Sequence, residues 1–384
     1  MIRWVQTRLV IEKPLTHEKY YPSVLRATTQ KSYPFSVSYA DIEIASNVIG
    51  STSSYINQLR FDDIIRLQVS IKYNPNQRTI WQDIFQGRIM DLSCEYSDNN
   101  NNVNIYAQGH EVEAETAIIE ETYTHTSQDC KTVLAYYAPK YLSRLTYDTN
   151  YADPGKTFPQ YDTTANQTYM SDLFADMEKV SGYDWAIQVI PTYSSGNLST
   201  RYIQWKQFSS TVTDKYKVIE GTPRVLSADF EVAGSDVRTA YRVNGETPSG
   251  GSQYTWEEED TALSTLYGKR TATETQTWVK SNTLCESIAE GLLAEGKTPS
   301  ISGQAVLMGT PEVEIGDLVT CKFPSIDLNG SSISTNLTVK RVSHVIDGGD
   351  FTTSVDLEKV KKTAYDYIGQ VSKTVKTCKK NQVK

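Results

Sequence analysis

Residues 63–71 read DIIRLQVSI, and the alternation in this stretch decides the fold class. Apolar side chains recur at every second position, namely at Ile65, Leu67, Val69 and Ile71. Successive side chains of a β-strand point to opposite faces, so this period places all four on one face. A helix would instead need apolar residues three or four positions apart. The stretch therefore predicts a strand with one buried face.

Similar strand patterns surround this stretch. Residues 35–49 read FSVSYADIEIASNVI and residues 80–92 read IWQDIFQGRIMDL, each with apolar residues in alternation. Turn residues separate these strands, for example Asn74-Pro75-Asn76. More strands are predicted towards the other end of the chain, at Ser302–Met308, Leu318–Phe323, Leu337–Val345 and Phe351–Leu357. Short strands between turns favour a barrel or sandwich over βαβ units.

The middle of the chain has helical spacing instead. One predicted helix carries an apolar stripe at Cys130, Val133, Leu134 and Tyr137, and Pro139 ends or kinks it. Another is predicted from about Thr168 to Ser181, followed by a strand hairpin. A third helix is predicted near 278–295, where Gly296 and Pro299 end it.

The fold class is therefore predicted as mainly β with α+β insertions. We expect two β-barrel domains, because β-periodic blocks lie at both ends, and a smaller inserted α+β region between them. The predicted units are 1–115 with 200–245 for the first barrel, 116–199 for the insertion, 246–360 for the second barrel, and 361–384 for a basic C-terminal tail or helix.

Charge is distributed unevenly along the 384 residues. The formal net charge is −8, yet the stretch from Lys359 to Lys384 has eight lysines and one acid. The remaining residues are therefore strongly acidic, which argues against general binding to phosphate backbones. Within the basic tail, 361–384, an apolar seam recurs at spacings of four and three, at Ala364, Ile368, Val371, Val375 and Cys378. Either this tail is disordered, or Ile368, Val371 and Val375 are covered by the protein itself or by a partner, and the positive charge of the tail favours an acidic surface.

Common motifs for catalysis, nucleotide binding and metal binding are missing from the sequence. There is no Walker loop, nucleophile elbow, C-x-x-C pair or H-x-x-x-H pair, so we assign no catalytic, cofactor-binding or metal-ligating residue. The opening residues lack the apolar core of a signal peptide, and no stretch approaches about 18 apolar residues, so we expect no membrane span. Trp185, Tyr202 and Trp205 have two interpretations, a sugar-binding platform or packing against the second helix.

Three groups of short motifs follow one another in a set order. The first runs from Asp62 to Leu67 and then through Ile84-Phe85-Gln86-Gly87-Arg88-Ile89. The second is Val225–Ser227 followed by Ser235–Gly245. The third begins after the third helix and contains Gly309-Thr310-Pro311, Ile315-Gly316-Asp317-Leu318-Val319, Leu337–His344 and Gly349-Asp350-Phe351-Thr352-Thr353. In this order and spacing, the stretches resemble the baseplate hub family of contractile phage tails, which includes Mu-type and late-control protein D-like tail proteins.

The motif residues are expected to be structural. They are Gly87, Gly109, Gly245, Pro311, Gly316, Asp317, His344, Gly349 and Phe351. Gly316-Asp317 suits a tight turn before a strand, and Gly348-Gly349 offers positive φ between two strands. His344 is expected to bond a turn or strand end without a catalytic role.

The resemblance implies a non-enzymatic virion protein of the tail baseplate, assembled in the host cytoplasm. Both barrels would be similar to the tail-tube subunit. Three copies would form a homotrimeric ring that adapts the six-fold tail tube protein to the three-fold central spike protein. Baseplate wedge proteins, and the tape-measure protein as a further candidate, would be its other partners, and DNA would pass through the lumen without specific binding. The alternatives are a distal tail or tube-adjacent ring protein of another tail type, and a carbohydrate-binding β-protein.

Overall fold

The computed structural model describes residues 4–45, 58–73, 77–96, 101–155, 157–180, 185–275, 279, 281–297, 299–328 and 331–359. These residues form a mainly β structure with several sheets and few helices, which confirms the predicted fold class. None of the helices in these ranges is long and apolar enough to cross a membrane.

The described residues of the first part of the chain form strands. They are β1 (Trp4–Glu12), β2 (Lys19–Tyr20), β3 (Val24–Ser32), β4 (Tyr39–Ala45), β5 (Ile64–Lys72), β6 (Gln82–Tyr96) and β7 (Asn101–Gly109). The opening stretch of the sequence forms β5, which lies between β1 and β6. Ile65, Leu67 and Val69 are fully buried there, as their alternation predicts.

The middle part mixes short strands with helices. It contains α1 (Glu113–Thr116), β8 (Ile118–Ile119), β9 (Tyr123–Asp129), α2 (Cys130–Tyr141), β10 (Thr146–Ala152), β11 (Thr157–Thr163), β12 (Thr168–Tyr169), α3 (Met170–Val180), β13 (Trp185–Ser194) and β14 (Asn197–Gln207). Asp129 caps α2, because its carboxylate accepts a hydrogen bond from the Thr132 N–H at 2.8 Å. Pro139 lies inside α2, which continues to Tyr141.

The last part returns to strands. It contains β15 (Val218–Ile219), β16 (Val225–Ala233), β17 (Ala240–Asn244), β18 (Thr255–Glu259), α4 (Thr261–Tyr267), β19 (Thr271–Thr275), α5 (Asn282–Gly296), β20 (Ser300–Met308), β21 (Leu318–Leu328), β22 (Ser331–Asp347) and β23 (Asp350–Glu358). The third predicted helix corresponds to α5, which packs on the small sheet β18-β17-β19 through Cys285, Ile288 and Ala289.

One sheet of 13 strands joins the two ends of the chain. Its order is β16-β20-β23-β22-β3-β4-β7-β6-β5-β1-β2, with β21 also paired to β22 and β15 to β21. The junction lies on β22, whose first half pairs with β21 and whose second half pairs with β3. Two hydrophobic cores lie against this sheet, one around Ile65 and Ile105 and the other around Val319 and Val355.

The sheet corrects one expectation. Two β-barrel domains were predicted, but among the described residues no barrel closes, and strands from both predicted barrels share one sheet. The β3–β22 pairing makes strands of the two halves neighbours in this sheet. β16, from the segment 200–245, pairs with β20. The division of the chain into domains stays a prediction.

The middle part packs around its own core and is fastened to the first part by a buried carboxylate. Glu178, on α3, is 1% exposed. Its two oxygens accept hydrogen bonds from the Phe35 N–H at 2.6 Å and the Ile187 N–H at 3.2 Å. Burial raises the pKa of Glu178 to about 8. A side chain from the middle part therefore fixes the turn that precedes β4.

Candidate functional site: an acidic sheet face

The large sheet has one face that points away from its hydrophobic cores. Alternation along the strands places nine carboxylates on this face. We name it the acidic face and define it by Asp41, Glu43, Asp91, Asp229, Glu231, Asp347, Asp350, Asp356 and Glu358. Each of these side chains is exposed or half-buried. The acidic face therefore presents a field of negative charge to the solvent.

Strand pairing sets the acidic residues in rows across the sheet. In one row, Asp347 pairs with Arg26, which pairs in turn with Glu43. In another row, Asp356 on β23 is followed by Gln304 on β20 and then by Asp229 on β16. Because neighbouring strands lie about 4.8 Å apart, carboxylates in adjacent rows and strands are close enough to repel one another electrostatically.

Two arginines offset only a small part of this charge. Arg26 Nε lies 3.4 Å from Asp347 Oδ1, and Arg341 Nη1 lies 3.1 Å from Asp356 Oδ2. Partial burial also raises the pKa of Asp41. The other carboxylates keep the face strongly negative, which disfavours close contact with a polyanion and favours contact with a basic chain.

This face was not predicted from the sequence, although part of the signal is visible there. Asp41 and Glu43 flank Ile42, and Asp356 and Glu358 flank Leu357. This is a period-two pattern of acids alternating with core residues. It shows that a strand is acidic on one side. Only the pairing of β22 with β3 brings the acidic sides of distant strands onto one continuous face.

Gly316 and Asp317 build a turn before β21. Gly316 has φ +86°, and a Cβ on it would collide with the ring of Phe208. The Asp317 carboxylate accepts hydrogen bonds from the Tyr216 hydroxyl at 2.8 Å and from the Glu314 N–H at 3.1 Å. Burial raises the pKa of Tyr216, and the charge of Asp317 adds to the effect. Both motif residues thus hold the loop that leads into β21.

His344 lies in a buried polar cluster on the core side of the sheet. Its Nδ1 is 3.0 Å from Thr353 Oγ1, and the same oxygen accepts a hydrogen bond from the Thr310 N–H at 2.8 Å. Burial lowers the pKa of His344 to about 4, so the imidazole is neutral at pH 7. Phe351 packs beside His344, with ring centroids 5.6 Å apart. Pro311 follows Thr310 in the sequence and is also buried.

The other motif glycines lie where strands or loops approach closely. Gly87 pairs with Gly109 between β6 and β7, and a Cβ on Gly87 would collide with the backbone of Gln108. A Cβ on Gly245 would meet the backbone carbonyl of Val279. Gly349 has φ +95° in the turn between β22 and β23. These residues are dispersed through the fold and form no single site.

The remaining candidate residues give mixed outcomes. Ile368, Val371 and Val375 lie outside the described residues. Trp185 and Trp205 are buried and stacked, with ring centroids 5.1 Å apart, and they share one core with α3. This confirms the packing interpretation for both residues. The sugar-binding interpretation is wrong for both, because their rings are not exposed. Within the ranges that the structure describes, no group of three His, Cys, Asp or Glu side chains is arranged to hold a metal ion.

Comparison with solved structures identifies the fold. A 43 kDa tail protein of prophage MuSo2 from Shewanella oneidensis superposes with a TM-score of 0.59 at 12% identity, over 92% of this chain and 98% of that one. The prophage tail protein gp18 from Listeria monocytogenes gives 0.56 at 14% identity, over 96% and 99%. The chain has the fold of phage tail proteins.

A chain of the Francisella PdpA–VgrG complex has the same fold. It superposes with a TM-score of 0.55 at 9% identity, over 94% of this chain and 53% of that one. No family model matches the chain, and no curated protein matches it in sequence. The likeness therefore lies in the arrangement of strands and helices and extends over almost the whole chain.

Proposed function

We propose that the chain is a structural baseplate hub of a contractile phage tail. The observation that carries this proposal is the fold match, which spans more than nine-tenths of this chain and nearly all of two prophage tail proteins. In this proposal three copies form a ring that adapts a six-fold tail tube to a three-fold central spike. The likeness to a chain of a complex that contains VgrG supports a partner of the spike type. Wedge proteins and the tape-measure protein are the other proposed partners.

The charge of the acidic face supports a position along the lumen through which DNA would pass. A ring of three copies would carry three times the net charge of −8. If the acidic face lines the lumen, like charge keeps the DNA from adhering to the wall. Assembly in the host cytoplasm, a place in the virion and the absence of catalysis belong to the same proposal.

The ring is tested by mass and symmetry. The purified full chain, alone and co-expressed with the tube and spike proteins of its own genome, is weighed by mass photometry and imaged by electron microscopy. The proposal expects a particle of three chains, each of 43.2 kDa, with three-fold symmetry. A six-fold ring would instead support the distal tail or tube-adjacent alternative. A chain that stays monomeric with both partners present would overturn the hub proposal.

The role of the charge is tested separately on DNA. A variant with Asp229→Lys and Glu231→Lys reverses two charges of the acidic face. We expect this variant to be retained on immobilised duplex DNA at low salt, whereas the unmodified chain flows through. Asp214→Lys with Glu290→Lys makes the same charge change at exposed positions off the face and is the control. Equal retention of both variants would contradict a special role of the face.

A further inference from the structure

The acidic face ends where the basic tail begins. Glu358 is the last residue of β23 and belongs to the acidic face, and Lys359 follows it directly. The tail, 361–384, contains seven lysines and a single acid, Asp366. The negatively charged face and the positively charged tail therefore belong to one chain, with two residues between Glu358 and the start of the tail.

We propose that the basic tail docks on the acidic face of its own chain. The face carries nine carboxylates against Arg26 and Arg341, and both arginines already have carboxylate partners within the face. The face therefore holds seven more carboxylates than arginines, and four of the carboxylates, Asp41, Asp91, Glu231 and Glu358, have no arginine in their rows. The seven lysines of the tail supply cations in a number that matches this excess.

The length of the tail fits the width of the face. From β23, the face extends across five neighbours, β22, β3, β4, β7 and β6, in one direction and across β20 and β16 in the other. At about 4.8 Å between strands, the farther edge lies roughly 24 Å away. The 24 residues of the tail could span at most about 80 Å, at about 3.3 Å per residue, so their length exceeds this distance. The lysines can therefore reach every row without strain.

Tethering makes such weak contacts effective. A single exposed ion pair is weak, but a short tether holds the lysines at a local concentration of about a millimolar beside the face. Several pairs then act together, and ordinary salt screens them, since the Debye length is about 10 Å at 0.1 M. The docking is therefore reversible and depends on ionic strength. This inference concerns the single chain before a ring forms, because a face covered by the tail would not present bare negative charge to DNA in a lumen.

The test is zero-length cross-linking with a carbodiimide, which joins lysine amines to carboxylates in direct contact. The full chain is prepared in ordinary and nitrogen-15 forms, mixed, cross-linked at about 50 mM and about 500 mM salt, and analysed by mass spectrometry. We expect links from Lys384 to Asp41, Asp229 and Glu231, within one isotopic form and at low salt only. Links that join the two isotopic forms would overturn docking within one chain and indicate a second copy.

A matched pair of variants separates charge from mere proximity. Lys373, Lys376, Lys379 and Lys380 are replaced together by Glu in one variant and together by Arg in the other. Lys384 is unchanged in both and reports the contact. We expect the Glu variant to lose about ten-fold of the Lys384 links, while the Arg variant keeps them. Equal links in both variants, or links spread evenly over surface acids away from the face, would overturn the proposal.

Discussion

Glu178 offers a sharp test of how the middle part of the chain is fastened to the first part. Replacing it by Gln keeps the shape of the side chain and removes its ionisation. In the unfolded chain the carboxyl has its ordinary pKa of 4.5, whereas in the folded protein burial raises the pKa to about 8. Between these values the folded state holds a proton that the unfolded state has released. Stability therefore falls as pH rises from about 4.5 to 8.

The size of the effect follows from the width of this window. One proton of difference costs about 1.4 kcal/mol for each pH unit. Between pH 5 and pH 7, the Glu178 contact should therefore lose about 2–3 kcal/mol of its stabilising free energy. The Gln variant should not show this loss. Its amide nitrogen cannot accept a hydrogen bond, so either the Phe35 or the Ile187 N–H is left unpaired at a cost of about 1–3 kcal/mol at every pH.

Hydrogen exchange measured by mass spectrometry can follow this contact locally. Protection of peptides covering α3 and residues 33–38 is compared between pH 5 and pH 7 in both proteins, after correction for the intrinsic exchange rate. Glu290→Gln, an exposed change on α5, removes the same charge elsewhere and is the control. If the unmodified protein and Glu178→Gln show parallel pH dependence, Glu178 does not titrate as its burial implies and the reasoning fails.

Two further substitutions test the turn before β21 and the buried cluster. Gly316→Ala should lower the free energy of unfolding by more than about 1 kcal/mol, because it combines a positive φ with a clash against Phe208. Gly348→Ala, at a positive φ with open space around it, is the control in thermal melts, and an equal loss in both would contradict the role of the clash. Thr353→Val should lower the free energy of unfolding by about 1–3 kcal/mol in urea titrations, because the buried Thr310 N–H and His344 Nδ1 lose the hydroxyl that they contact. Thr352→Val, on the half-buried side of the same strand, should cost much less, and the opposite order would refute the cluster.

Local patterns in the sequence predict much of this fold. The alternation at Ile65, Leu67 and Val69 correctly indicates a buried strand face, and the stripe from Cys130 to Tyr137 correctly indicates a helix. Both signals arise because side-chain direction repeats with the period of the element itself. The boundaries are less accurate. α2 continues past Pro139, and α5 begins at Asn282, several residues after the predicted start.

Contacts between distant segments could not be predicted in this way. β3 and β22 are about 300 residues apart, and nothing in either strand specifies the other as its neighbour, since many strands share the same alternation. The sharing of one sheet by strands of both predicted barrels was not predicted for this reason. The contact of Glu178 with Phe35 escaped notice similarly, because a single acid among 46 acidic residues carries no sign that it will be buried. The acidic face depends on the same long-range pairing.

The long strand β22 has a mechanical consequence. At about 3.3 Å per residue, the 17 residues of β22 span roughly 55 Å, and this one strand takes part in both halves of the large sheet. From Ser32 opposite Arg341 to Arg26 opposite Asp347, seven residue pairs of β3 and β22 lie side by side. A pull along this strand would load their hydrogen bonds together, in shear, instead of opening them one after another. Tension applied at one half would therefore reach the other through the backbone of β22, across the β-bulge between Val339 and Arg341.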